Sequence, residues 1–223
     1  DWTKTSAPGS DWVSIASSAD GAKLAAAIIG GGIYVSADSG TNWTLTGAPG
    51  YRWLSIASSA DGTKLAAAGD NDGSGHYIGI YVSSDSGAHW TLSGAPADSW
   101  QAVASSADGT KLVAVTYNDG VYVSSDAGAH WTKTGAPVSG WIGVVSSADG
   151  TKLAVADDAG SIYASSDSGT NGAATGTPAG GRWRSLVSSA DGTKLAAEAD
   201  TSEVYISSNS GANSVILKNH CDS

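Results

Sequence analysis

The chain has 223 residues, 41% hydrophobic and 14% charged, which is enough apolar material for a sizeable core. A formal net charge of −10 argues against nucleic acid or anionic lipid as partners, and no apolar run is long enough to insert in a membrane as a spanning helix. The single cysteine, Cys221, has no partner within the chain, so it is available only for self-association between chains.

In chain order, residues 1–8 read as one isolated strand, because Trp2-Thr-Lys-Thr-Ser-Ala-Pro8 nearly repeats Trp131-Thr-Lys-Thr-Gly-Ala-Pro137. Five copies of one unit follow, at approximately 12–47, 53–94, 100–135, 141–176 and 183–218. The second copy shows the pattern: strand A is Trp53 to Ala57, strand B is Lys64 to Ala68, strand C is Gly79 to Ser83 and strand D is His89 to Ser93. Ile, Val, Tyr, Trp and Thr crowd strands A, C and D, as a half-buried pleated surface favours. Strand B is mostly Leu and Ala, small enough for the converging inner part of a blade. Ala-Asp-Gly between A and B tolerates the positive φ of a tight hairpin, and the five prolines fall in the D-to-A crossovers, where no ladder bond is lost.

Self-similarity at about 40–45 residues with several short strands per repeat is the sequence pattern of a β-propeller. The expected fold is therefore all-β: a five-bladed β-propeller of four-stranded antiparallel blades forming a single domain over 1–223. The orphan strand 1–8 is expected to close the ring by pairing into the last blade, where Ser214 replaces the tryptophan of the other copies.

A second turn recurs in register. It reads Ser36-x-Asp38-x-Gly40-x-x-Trp43, Ser83-x-Asp85-x-Gly87-x-x-Trp90 and Ser124-x-Asp126-x-Gly128-x-x-Trp131, while the fourth copy keeps Asp167 without the Trp. This resembles the Asp box of BNR-repeat, sialidase-like propellers, over essentially the whole chain. The resemblance implies a structural role for the box, and the chemistry agrees: Ser and Asp cap the C–D hairpin, Gly permits the turn and Trp packs beneath it. Sialidases of that family grip a substrate carboxylate with clustered arginines, whereas this chain has only Arg52, Arg182 and Arg184. No strand A carries a carboxylate, so a glycoside-active enzyme would need loop carboxylates, and this is the third reading of function. The histidines show no metal spacing, Asp70-Asn-Asp-Gly73 lacks the remaining ligands of a calcium loop, and neither metal nor cofactor is expected.

Variation is concentrated in the B–C loops and D–A crossovers, which share one face, and recognition usually sits on such loops. Trp12, Trp53, Trp100, Trp141 and Trp183 open strand A on that side, where they could stack on sugar rings or pack between blades. Asp70, Asp72, Asp119, Asp157 and Asp158 make the same face acidic, which suits a neutral glycan better than a sialylated one. The leading expectation is thus a secreted or cell-surface, non-catalytic, lectin-like module, similar in plan to five-bladed tachylectin-type lectins. The alternative is a structural scaffold or protein-interaction propeller.

Overall fold

A computed structural model describes residues 1–177, 181–201, 203–211 and, for the backbone, 214–217; Pro178 and Cys221 lie outside the described residues. Every regular element among the described residues is a strand. Unit 1 comprises β1 (Trp12–Ser17), β2 (Leu24–Gly31), β3 (Ile33–Ser36) and β4 (Thr44–Leu45). Unit 2 comprises β5 (Tyr51–Ser58), β6 (Leu65–Gly69), β7 (Tyr81–Ser83) and β8 (Thr91–Leu92). Unit 3 is β9 (Trp100–Ser105), β10 (Leu112–Thr116), β11 (Val121–Ser124) and β12 (Thr132–Lys133). Unit 4 is β13 (Trp141–Ser146), β14 (Leu153–Asp157), β15 (Ile162–Ser165) and β16 (Ala173–Ala174). Unit 5 is β17 (Trp183–Ser188), β18 (Leu195–Ala199), β19 (Val204–Ser207) and β20 (Ser214–Leu217).

Each unit is an antiparallel meander, and units 3, 4 and 5 are separate four-stranded sheets. Units 1 and 2 are joined into one eight-stranded sheet, because β2 runs on past its own unit and pairs with β5 at Ile29–Arg52 and Gly31–Tyr51. The outer strand is shorter than its sequence suggests, two residues in units 1 to 4, since the turn before it takes residues that would otherwise extend the ladder.

Two turns are built from side chains. In the A–B turn of unit 2, Ser59 Oγ donates to Asp61 Oδ1 at 2.6 Å and accepts from Lys64 N–H at 3.0 Å, while Asp61 Oδ1 accepts from Thr63 N–H at 3.0 Å. In the C–D turn, Ser83 Oγ donates to Asp85 Oδ1 at 2.9 Å and accepts from Gly87 N–H at 2.9 Å. Ser86 (φ 58°) and Gly87 (φ 88°) both lie in the left-handed region, which explains the small residue followed by Gly at this place in the repeat.

The core lies between units. Each unit has a front face, carried in unit 3 by Trp100, Val103, Leu112 and Ala114, and a back face, carried in unit 2 by Ala57, Ala66, Ala68 and Ile80; these eight form one buried cluster. The same arrangement recurs at the other three seams. The alanines of the second strands let successive sheets approach closely, and a hydrogen bond ties each step. Ala19 N–H donates to Ala60 O, Ala60 to Ala107, Ala107 to Ala148 and Ala148 to Ala190, each at 2.7 Å.

Closure by the N-terminal strand is not what the structure shows. Residues 1–11 form no strand, Trp2 is fully exposed, and the fourth strand of the last sheet is β20, paired with β19 from Val204–Leu217 to Ser207–Ser214. Local pairing across one turn closes a far shorter loop than pairing across the whole chain, which favours β20 in that slot. Residues 1–8 instead lie over unit 1, with Ser6 Oγ donating to Thr41 O at 2.7 Å. Unit 5 does not come round to pack on unit 1: Ile15 on the front of β1 is 64% exposed and Val187 on the back of β17 is 56% exposed.

Candidate binding face

The five strand-A tryptophans are not the exposed platforms that sugar stacking requires. Trp53, Trp100 and Trp141 are completely buried and Trp183 nearly so, while Trp12, at the open end, is half-buried. A β-bulge explains their direction. The register shifts between Trp53 and Ser55, and at the matching place in each first strand, so the Trp turns to the same side as Ile56 and into the seam. There it meets the strand-C tyrosine edge-on: ring centroids are 5.4 Å apart in Trp12–Tyr34, 5.6 Å in Trp53–Tyr81 and 5.3 Å in Trp100–Tyr122. In units 1 to 4 the indole N–H donates to the crossover proline, Trp53 to Pro49 O at 3.1 Å and Trp100 to Pro96 O at 3.0 Å, so both ends of those side chains are committed to packing.

The loop carboxylates are also committed, each by a different device. Asp70 is buried and forms an ion pair with Arg52, its second oxygen Oδ1 having no hydrogen-bond partner. Asp72 closes its own loop: Oδ1 accepts from the amides of Ser74 (2.8 Å) and His76 (3.2 Å), and Oδ2 lies 3.0 Å from His76 Nδ1. The Ser74 amide is the main reason its pKa lies below the ordinary value. Asp119 takes hydrogen bonds from Lys133 Nζ and Tyr122 OH, which lower its pKa; burial, then Asp119, pushes the Tyr122 phenol up to about 12. Asp157 is buried and accepts from Ser139 Oγ (2.7 Å), Ala159 N–H (3.1 Å) and Ser161 N–H (2.7 Å).

Asp158 organises the part of the face that spans units. It accepts from Tyr117 OH at 2.7 Å and from Arg182 Nη2 at 3.3 Å, so the B–C loops of units 3 and 4 and the crossover into unit 5 meet at one carboxylate. The Asp158 carboxylate raises the Tyr117 pKa, so the phenol stays protonated and donating at neutral pH. Tyr117 and Arg182 remain solvent-accessible, as do Tyr77 and His76 in the unit 2 loop. Asp70, Asp119 and Asp158 are paired with Arg52, Lys133 and Arg182, so the face is a mosaic of ion pairs and exposed tyrosine rings, less acidic than the carboxylates alone suggest.

The structure thus brings Asp158 together with Tyr117 and Arg182, and Asp70 with Arg52, and separates Asp72 and Asp119 into their own loops. Tyr117, Arg182, Arg52 and Tyr77 are not among the ligand-binding residues expected from the sequence. Their signal was available, since each departs from the repeat in a loop or crossover of the variable face. Among the described residues no group of three His, Cys, Asp or Glu could hold a metal ion.

No protein-family model matches the sequence, and no curated protein matches it. Solved structures are similar in fold. A GH74 enzyme from Niastella koreensis superposes with a TM-score of 0.76 at 18% identity, over 96% of this chain and 32% of its own. The GH74 xyloglucanase of Xanthomonas campestris gives 0.72 at 17% identity, over 94% of this chain and 38% of its own. YCF48 from Cyanidioschyzon merolae gives 0.69 at 12% identity, over 96% of this chain and 74% of its own. The chain spans about a third of the length of the two GH74 structures. At these identities the likeness is one of architecture: an all-β chain of four-stranded antiparallel sheets with the fold of the β-propellers.

Proposed function

We propose that the protein is a non-catalytic, extracellular or cell-surface interaction module whose five units are propeller blades with Asp-box turns, and that its loop face binds a protein partner. The observation that carries this reading is the Tyr117–Asp158–Arg182 cluster, which joins three units and leaves a tyrosine ring and a guanidinium open to solvent. Tyrosine and arginine are the side chains that anchor protein interfaces, giving contact area and directional donors, and their bonds to Asp158 already restrict both side chains. Catalysis is disfavoured by the state of the carboxylates. Asp70, Asp72, Asp119, Asp157 and Asp158 are each held by cations, hydroxyls or amides, and they do not form the facing pair of free carboxylates that glycoside hydrolysis needs.

A glycan ligand is the second reading, favoured by exposed Tyr77 and Tyr117 near Asp72 and Asp158 and by the fold shared with a xyloglucanase. One comparison separates the two. The wild-type chain and the Tyr117→Ala/Arg182→Ala double variant are applied to a glycan array and, in parallel, to secreted proteins in a cross-linking capture. The protein reading expects a captured partner that the double variant loses and an Asp85→Ala variant, altered on the opposite face, retains. Glycan binding abolished by the double variant establishes the sugar reading instead, and equal capture by both chains removes the loop face from consideration.

A further inference from the structure

The two ends of the array carry the two halves of a seam that is made four times inside the chain. The back face of unit 5 presents Val187, Val204 and Ile206. Val204 is 49% exposed, whereas its counterparts Ile33, Ile80, Val121 and Ile162 are at most 5% exposed. The front face of unit 1 presents Trp12, Ile15, Leu24 and Ala26 around an open cavity of about 580 Å³. Their counterparts Trp53, Ile56, Leu65 and Ala67 are buried against the unit before. We propose that the protein self-associates head to tail, the back face of unit 5 in one copy docking on the front face of unit 1 in the next.

The argument is continuity with the internal seams, in polar groups as well as apolar ones. In each seam an alanine amide of one unit donates to the alanine carbonyl of the next. Continuing the series puts Ala190 N–H against Ala19 O of the following copy, and among the described residues neither atom has that bond within the chain. Lys64, Lys111 and Lys152 donate through Nζ to the carbonyls of Asp108, Asp149 and Asp191, which places Lys194 against Asp20 O. Ser14 Oγ accepts from Ile56 N–H at 3.1 Å and Ser55 Oγ from Val103 N–H at 3.2 Å, which places Ser185 against Ile15 N–H. A front face and a back face of one chain are thus complementary, a heterologous contact that builds rings or open arrays.

Residues 1–8 fit this scheme. A Cβ on Gly87 would lie 3.4 Å from Thr46 Cγ2 of the preceding unit, and a Cβ on Gly40 would lie 3.8 Å from Thr5 Cγ2. Thr5 therefore stands where the outer strand of a preceding unit would stand, alongside the front face on which the incoming copy docks. One residue works against the contact. Glu198 holds the place of Ala68, Val115 and Ala156, so a carboxylate enters a seam that is apolar elsewhere and weakens it.

Sedimentation velocity over a range of concentrations, with reductant present to silence Cys221, tests the proposal. Wild type is expected to form species larger than the monomer as concentration rises, and Glu198→Ala to tighten this about tenfold. Ile15→Asp and Val204→Asp, both at exposed positions and both checked for unchanged melting, should each be monomeric alone. Their equimolar mixture should give a dimer and nothing larger, because only one intact pair of faces remains. Monomers at every concentration for both wild type and Glu198→Ala would overturn the proposal, and would mean that the faces are covered within one polypeptide. Dimers formed by either Asp variant alone would also overturn it, in favour of a symmetric contact.

Discussion

Ile15 and Ile56 hold the same place in consecutive units, yet Ile15 is 64% exposed and Ile56 5% exposed. The difference is the unit in front: Ile56 packs against the back face of unit 1, and Ile15 faces the open cavity. In dilute solution Ile56→Ala is expected to destabilise the fold by about 2–5 kcal/mol, while Ile15→Ala stays within about 0.5 kcal/mol. Urea unfolding of the two variants decides it, and equal losses would mean that unit 1 is covered in solution.

The C–D turn depends on one hydroxyl. Ser83 Oγ is buried, donates to Asp85 and accepts from Gly87 N–H, so Ser83→Ala leaves a buried amide without its acceptor. A loss of about 1–2 kcal/mol is expected, with binding at the loop face untouched. Loss of a ligand at full stability would move the binding face to this side of the molecule.

Stability should fall in acid over a defined window. The His89 amide, then the His89 ring, holds the Asp85 carboxyl at about 2, against an ordinary 3.8, and the His130 amide does the same for Asp126. Ser106 and Ser147 similarly hold Asp108 and Asp149 at about 2. Groups whose folded pKa is depressed contribute stability that is fully present above the unfolded value and is lost as pH falls through the folded one. The Tm is therefore expected to be insensitive to these groups above about pH 5 and to drop between about pH 4 and pH 2. Asp85→Asn should shrink that acid-dependent part; a variant with an unaltered acid limb would show that the turn carboxylate is not its source.

Turn glycines should respond differently according to whether another unit packs against them. Gly87 has φ 88° and its missing Cβ would come 2.8 Å from Val35 Cγ1 across the seam, whereas Gly21 has φ 72° with nothing within 4 Å. Gly21→Ala is expected to cost about 1 kcal/mol from backbone strain alone. Gly87→Ala adds the displacement of a neighbouring unit and should cost about 2–4 kcal/mol. Similar melting shifts for the two variants would argue against close packing at that seam.

Much of the architecture was legible in the repeat. The Ser-Ser-Ala-Asp-Gly and Ser-x-Asp-x-Gly signatures mark turns whose side-chain bonds the structure contains, and the strand runs between them fall where β5 to β8 lie. The direction of the tryptophans was not legible. A period of two puts Trp53 and Ile56 on opposite faces, and only the bulge between Trp53 and Ser55 brings them to the same one. Pairing of the loop acids escaped the sequence for another reason: Tyr117, Asp158 and Arg182 are 41 and 24 residues apart and meet only once the units are stacked. Closure by residues 1–8 followed from a true likeness to an outer strand, but likeness cannot choose between two segments that fit one slot, and β20 takes it.

The continuation of β2 into β5 makes the first two units a single mechanical element. Elsewhere neighbouring sheets share no strand pairing and are held by isolated hydrogen bonds and side-chain packing, so a pull along the array opens those seams first. A chain cut in the crossover at 46–50 leaves the two pieces still bridged by Ile29–Arg52 and Gly31–Tyr51, whereas a cut between β8 and β9 leaves no such ladder. The first crossover is accordingly the place where this protein can be split into two fragments that find each other again.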